Sequence, residues 1–505
     1  MNEQKIYELL KQGEHLSLEC KLCEKKLPNS LWESYSAFAN AYGGYILLGI
    51  EEHPKEATPD KRFAIAGVAN PHKLITDFWN LANDTNKVNV NLLKDDDVEV
   101  IEIDGKDIIV IHIPRADYHL RPIYINDNPA KGTFRRNHEG DYHCSKGDVA
   151  SMYRDANDEG NDHVLLAHYT MEDIDAITLR EYRQMFLTRN PDHWLNKRDD
   201  KEFLIQLGGY RIDRQTGEEG LTMTGLLMFG KGLPIRERFS NIRMDYVDKT
   251  NLTGEMRYSD RLTYDLTWEN NLFQFITLAL PRLTRDLPRP FVLEGMQRTD
   301  DTPLHKLVRE AFTNMIIHAD FLQTGVLRAE KRNDGFYFSN PGTIKLPIER
   351  VYQGGLSRSR NPHMQNILRM IGLGENLGTG FPTMVDTWEK QFHVLPKLEE
   401  DWQTHVTELT FSGMQHETHS KVENKEELIA QLGEKLGRKL GRKLGKNRTA
   451  IIELIVNNPH ITYAEIADAL SVSTTTVENR IAEMSGVIIQ HVGPKKGGHW
   501  ETIDD

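Results

Sequence analysis

A chain of 505 residues is too long for one hydrophobic core and calls for roughly two to four domains. A formal net charge of −13 excludes a global positive field for nucleic acid, so any such contact must come from a local basic patch. Three cysteines (Cys20, Cys23 and Cys144) exclude a disulfide framework, and no apolar run approaches the ~20 residues a membrane-spanning helix needs. With a polar Met-Asn-Glu-Gln-Lys start in place of a signal peptide, the expectation is a cytoplasmic protein without membrane contact.

The N-terminal region alternates helix and strand signals. Leu31 to Tyr42 reads as a helix stopped by Gly43-Gly44, and Tyr45 to Ile50 as a buried strand. Val98 to Ile103 and Asp107 to Pro114 pair around the turn signal Asp104-Gly105. Gly13-Glu14 through Glu19-Cys20-Lys21, then Ser36 through Asn40 and Gly43-Gly44 to Gly49-Ile50-Glu51, are similar to the Schlafen/AlbA-type domain. The likeness runs on to Thr133-Phe134-Arg135-Arg136 and Ser145, and so covers most of residues 1–153. Schlafen ribonucleases carry two Glu five positions apart and a third acid after the Gly-Gly strand. The resemblance therefore implies a nuclease site of Glu14 and Glu19, with Lys21 beside them and Glu51 or Glu52 as third carboxylate. Clustered carboxylates hold a divalent metal that activates water. The other reading is a domain that only binds nucleic acid, RNA included, or protein. Arg135, Arg136 and Lys146 are candidate phosphate contacts. Cys20-x-x-Cys23 with His143-Cys144 could supply zinc ligands, but adjacent strand residues point to opposite faces, and plain thiols are the simpler reading.

Asp155 to Asp162 is polar and reads as a boundary. Glu172 to Arg189 reads as helix-rich, and the Lys197 to Lys201 charge run as a solvated loop. Gly225 to Lys231 is similar to the start of a Walker A loop, but Gly232 stands where Ser or Thr would ligate magnesium. Leu226 to Phe229 reads as a core strand.

Leu304, Leu307, Val308, Ala311, Met315 and Ala319 recur at helical spacing and would bury one face. Glu310, Asn314 and His318, four residues apart, stack on another face. An amide oxygen can ligate a hard cation, and a carboxylate can orient water. A hairpin follows, Leu327 to Arg332 and Phe336 to Ser339 around Asn333-Asp334-Gly335, and it ends in Asn340-Pro341-Gly342. Gly372 through Gly378-Thr379-Gly380 then precedes a helical pattern, and glycines before a helix start let backbone N–H groups approach phosphate. This order resembles the GHKL ATPase fold, and Arg309 to Ala311, His318 to Asp320, Ser339 to Gly342 and Gly378 to Gly380 resemble its divergent RecG-like branch. The resemblance implies ATP and Mg2+ as cofactors, with Asn314 on the metal and Glu310 as base. Asn340 and Gly342 would lie beside the adenine, Gly378 and Gly380 at the phosphates, and His318 and Asp320 within the same site. GHKL members usually place Asp where this chain has Asn340, which bears on adenine specificity.

Gly413 to Asn424 is polar linker. In Leu432 to Lys446, Leu and Gly each recur every four residues, which suits either close helix packing and a homo-oligomer or a flexible basic linker. Ile451 to Ile455, a capping box Thr462 to Glu465, and Thr474 to Met484 read as three helices, with strands at Val487 to Val492 and His499 to Thr502. The pattern resembles a winged helix-turn-helix. It implies a DNA partner, with Thr475, Thr476, Asn479 and Arg480 entering the major groove and Lys495 and Lys496 on the wing at phosphate.

The expected fold class is multidomain α+β. A Schlafen/AlbA-like α/β domain (1–155) precedes a GHKL-like α/β sandwich (163–412, motifs within 302–390), a linker (413–446) and a winged helix-turn-helix (447–502). The expected function is an ATP-binding, DNA-binding transcriptional regulator. The alternative is a nucleotide-gated, metal-dependent Schlafen-type endoribonuclease acting on transfer RNA or other RNA in phage defence.

Overall fold

The computed structural model describes residues 2–53, 62–288, 292–294, 297–299, 301–374 and 380–414, and in the tail 429, 432, 436, 446–458, 461–485, 487–492 and 499–502. The mixed α+β chain divides into two compact units, Met1–Gly413 and Met414–Asp505.

The first unit begins with a four-stranded sheet in the order Leu18–Lys21, Gly44–Leu48, Lys106–Ile113, Val98–Ile103. The first pair is parallel and the others antiparallel. Ile46, Leu48, Ile109 and Ile111 pack with Trp32, Phe38 and Phe78 on one face, and Leu47, Ile108 and Val110 with Ile6, Leu10 and Phe63 on the other. Burial on both faces is why Tyr45 to Ile50 reads as an unbroken apolar run rather than an alternating one. Asn40 is fully buried and pins the sheet's flank. Its Nδ2 donates to the carbonyls of Ile123 (2.7 Å) and Phe134 (3.0 Å), and its Oδ1 accepts from the Ile123 amide (2.8 Å).

A six-stranded sheet follows in the order Asp260–Leu262, Ile242–Lys249, Gly325–Arg332, Gly335–Pro341, Val406–Ser412, Lys397–Asp401. Only the pair Ile242–Lys249 and Gly325–Arg332 is parallel. A parallel pair needs a crossover, and here it carries the helices Leu272–Thr284 and Pro303–Ile317. Phe275, Phe312 and Phe338 form a ring chain from helix to helix to sheet.

One expectation fails here. Leu226 to Phe229 is not a strand but lies in the buried helix Met223–Phe229. The Thr222 side chain caps it by accepting from the Gly225 amide, and Gly225 lies so close to Gly209 that an added Cβ would sit 1.8 Å from the Gly209 carbonyl oxygen. A short apolar run fits helix and strand equally, and the cap decided. Both terminal acids of the polar stretch from Asp155 to Asp162 are buried and partnered.

The second unit has helices Lys446–Asn457, Tyr463–Leu470 and Thr474–Met484 and the antiparallel strands Ile489–Val492 and His499–Thr502. The Thr462/Glu465 capping box forms in full. Ile451, Ile455, Ile466, Val477, Ile481 and Trp500 make its core, and Leu432 and Leu436 of the Leu-Gly repeat are buried in it. That part of the leucine stripe therefore packs on its own unit. Leu440 and Leu444 lie outside the described residues. No described helix is long and apolar enough to cross a membrane.

Candidate functional site

Thr302 caps the Pro303–Ile317 helix and Pro303 opens it. Its buried face holds Leu304, Leu307, Val308, Ala311 and Met315. One turn apart on the neighbouring face, Glu310, Asn314 and His318 line a cleft that opens to solvent. Phe338 and Asn340 of the sheet form its floor, the 343–346 and 356–360 segments one wall, and Gly380 with Phe381 its edge. Ile344, Leu346, Val351 and Phe381 give this cleft an apolar end, while Glu310 and Asn314 share it with Lys345, Arg358 and Arg360.

Burial pushes the His318 imidazole down to about 4, helped by Arg360 and Lys345, so the ring is neutral at pH 7. Burial likewise lowers Lys345 to about 8, against the pull of Asp155. The Lys345 ammonium lies 4.5 Å from the centre of the Tyr118 ring. Arg360 is committed to structure. It grips Asp155 in a two-pronged pair at 2.7 Å each and donates to the carbonyls of His318 and Thr343. The cleft wall is also held from the N-terminal domain: Arg115 donates to the Ile344 carbonyl and Arg121 to that of Lys345, both at 2.9 Å.

Other expected cofactor residues divide. Asn340 lines the cleft, with Nδ2 donating to the Pro341 carbonyl (3.2 Å). Gly342 lies behind the cleft, at φ 104°, where an added Cβ would sit 2.5 Å from an Arg360 nitrogen. Asp320 faces away from the cleft and accepts from Arg154 (2.7 Å) on the Lys146–Asp155 helix and from Ser151 (3.3 Å). Gly380 opens the Gly380–Phe392 helix so near Glu310 that an added Cβ would sit 2.5 Å from Oε1. Gly378 lies outside the described residues. Lys345, Arg358 and Phe381 were not singled out from the sequence. The run Ser357-Arg358-Ser359-Arg360 before Asn361-Pro362 was the available signal.

The N-terminal acids do gather. Glu14 Oε1 accepts from the Cys20 amide at 2.8 Å. Glu19 bonds Lys21 (2.8 Å) and Arg136 (2.6 Å). Burial, then the charge of Glu19, pushes the Glu14 carboxyl up to about 7, and Glu52 adds to the rise. The third acid of this cluster is therefore Glu52. Glu51 alternates to the exposed side of the strand Ile50–Glu52. Arg136 is not a phosphate contact: it is 2 % exposed and serves Glu19, Asp141 and the carbonyls of His15 and Leu18. Arg135 donates to the Trp402 carbonyl and lines a small cavity with Asp148 and His405, so it too is turned inward. Cys20 and Cys23 belong to different core clusters, on opposite faces of the sheet.

In the second unit, Val477, Ile481 and Met484 bury one side of the Thr474–Met484 helix. Thr475 and Asn479 are exposed, and Thr476 and Arg480 half-buried. Lys495 and Lys496 lie outside the described residues.

Family models match along the chain. Residues 14–145 match "Schlafen, AlbA_2", residues 332–408 match "Putative ATP-dependent DNA helicase recG C-terminal", and residues 444–485 match "Winged helix-turn-helix DNA-binding". Residues 150–245 match a domain of unknown function, DUF8451. No curated protein matches. Two solved structures are similar. The DIP2311 protein from Corynebacterium diphtheriae is 17% identical (96% of this chain, 79% of that chain, TM-score 0.38). The N-terminal domain of a RecG-related protein from Nitrosomonas europaea, titled a putative ATP-dependent DNA helicase, is 26% identical (28% and 94%, TM-score 0.23). The chain thus combines a Schlafen/AlbA_2 domain, a RecG-type C-terminal region related to ATPases and a winged helix-turn-helix. Together these point to a nucleotide-binding, DNA-binding protein.

Proposed function

We propose that the chain is an ATP-responsive, DNA-binding transcriptional regulator. The observation that carries this reading is the single cleft in which Glu310 and Asn314 stand one turn apart on a helix, in company with Lys345 and Arg358. The donor set fits a magnesium–triphosphate: Asn314 supplies an oxygen for the hard cation, Lys345 and Arg358 meet phosphate, and the apolar end takes a flat base. Glu310 orients the water that would attack the triphosphate. The Lys345 wall is tied to the N-terminal domain by Arg115 and Arg121, so ligand in the cleft bears on that domain as well. The winged helix reads DNA through Thr475, Thr476, Asn479 and Arg480.

The test is calorimetric titration of the full chain with Mg-ATP. Wild type should bind and Asn314→Ala should bind at least about tenfold more weakly, a difference of about 1.4 kcal/mol. Failure of wild type to bind ATP, or an Asn314→Ala affinity equal to wild type, would refute the reading.

A second reading, a metal-dependent Schlafen-type endoribonuclease, is favoured by Glu14, whose carboxyl at about 7 beside Glu19 suits proton transfer. Transfer RNA cleaved by wild type with Mn2+ or Mg2+, and left intact by Glu14→Gln, would support it. An uncut substrate leaves the regulator alone.

A further inference from the structure

Between the N-terminal domain and the six-stranded sheet region lies a cluster that the cleft does not use. Asp162, fully buried, stands with His163 and His363, and one ligand-capable atom from each lies within 4.8 Å of the others. Asp162 Oδ1 is 3.1 Å from His363 Nδ1. The two rings are 5.2 Å apart between centres. Two donor atoms on one tetrahedral zinc, each about 2.0–2.2 Å from the metal, lie roughly 3.3 Å from each other.

Three further features describe a built site. Asp162 Oδ2 is fixed by Thr224 Oγ1 (2.9 Å) and by the Met364 amide (2.9 Å), hydrogen bonds of the kind that orient a ligating carboxylate. His363 is wedged against Gly208, where an added Cβ would sit 2.6 Å from its Cδ2. His163 keeps Nδ1 buried with no hydrogen-bond partner, while its Nε2 lies 3.6 Å from Glu159. An orphaned buried nitrogen is costly, and a carboxylate behind the other ring nitrogen is a common outer partner of a metal-bound histidine.

We propose that Asp162, His163 and His363 form a divalent transition-metal site, with zinc the best-fitting ion and water as fourth ligand. Two imidazoles and one carboxylate suit zinc rather than magnesium or calcium. The metal clips the 159–163 segment to the start of the Pro362–Met370 helix. Asn361, just before that helix, donates to the carbonyls of Ile317 (3.2 Å) and Ala319 (2.8 Å), at the end of the helix that carries Glu310 and Asn314. The clip therefore braces the base of the cleft without touching its contents.

The full chain, stripped by chelator and dialysed, is titrated with Zn2+ and with Co2+, and its melting temperature is followed. Wild type is expected to bind one Zn2+ per chain at this site, to gain several degrees in Tm with Zn2+ but not with Mg2+, and to give Co2+ d–d absorption without a thiolate charge-transfer band. His163→Gln and His363→Gln should each lose that equivalent and the Tm gain. His163→Gln, changed at a partly exposed ring, should keep the apo wild-type Tm and so separate metal loss from misfolding. No Zn2+ uptake by wild type, uptake by either variant equal to that of wild type, or a thiolate band would overturn the proposal and leave the trio as a helix-capping network.

Discussion

The cleft and the N-terminal acid cluster are built from the same residue types with opposite results. In the cluster, Glu19, Asp141, Lys21 and Arg136 stand at hydrogen-bond distance, 2.6–2.9 Å, and have neutralised one another. In the cleft, Glu310, Asn314, Lys345 and Arg358 line one volume that opens to solvent. Charges paired off with one another become structure; charges that line an open cleft are placed to meet a ligand. Glu14 is the exception in the cluster. A backbone amide partners it rather than a cation, and its carboxyl is the one pushed far up.

The sharpest way to break this comparison is to remove each region's buried arginine. Arg360→Met strands Asp155, and Arg136→Met takes the buried cation from Asp141 and leaves Glu19 with Lys21 alone. Each should cost about 3–5 kcal/mol by chemical denaturation, the penalty of an uncompensated buried charge. Their ATP affinities should part, however. Arg136→Met should bind as wild type does, and Arg360→Met more weakly, because Arg360 holds the carbonyls at His318 and Thr343. A loss below about 1 kcal/mol in either variant would show that its pair is dispensable.

A smaller effect distinguishes Glu14. Its carboxyl ionises near 4.5 when unfolded and near 7 when folded. Folding therefore favours the protonated form, and stability falls as pH rises through that window. Glu14→Gln removes the loss. Allowing for partial exposure and solvent screening, it should gain about 1 kcal/mol over wild type at pH 8, with the gain shrinking towards pH 5. A constant difference across that range would contradict the assigned shift.

An effect of similar size is expected in the second unit. With Arg480 at the major groove, Arg480→Ala should weaken binding to duplex DNA by about 1 kcal/mol, as read by fluorescence anisotropy. An unchanged affinity would remove Arg480 from the interface.

Much of the architecture was legible because it rests on local rules. Spacing alone stacks Glu310, Asn314 and His318, since residues four apart share a helix face. The Thr462/Glu465 capping box, the Asp104-Gly105 hairpin and the three tail helices follow from cap, turn and period signals that depend on near neighbours in sequence. The Met223–Phe229 helix was misread because the four apolar residues Leu226 to Phe229 carry no usable period, and the Gly209–Gly225 contact that settles it joins residues apart in sequence.

The roles of charged side chains were decided only by tertiary structure. Arg135 and Arg136 read as a basic patch in the chain, yet they turn inward onto Trp402 and Glu19. Asp320 reads as part of a nucleotide motif, yet it serves Arg154. Lys345 and Arg358 had no periodic signature, and folding brings them to the cleft. A hydrophobic period records how a segment meets a core and is written within one element. A charge takes its partner from whatever the fold carries past it, so its function is fixed by distances of a few ångströms between residues tens to hundreds of positions apart.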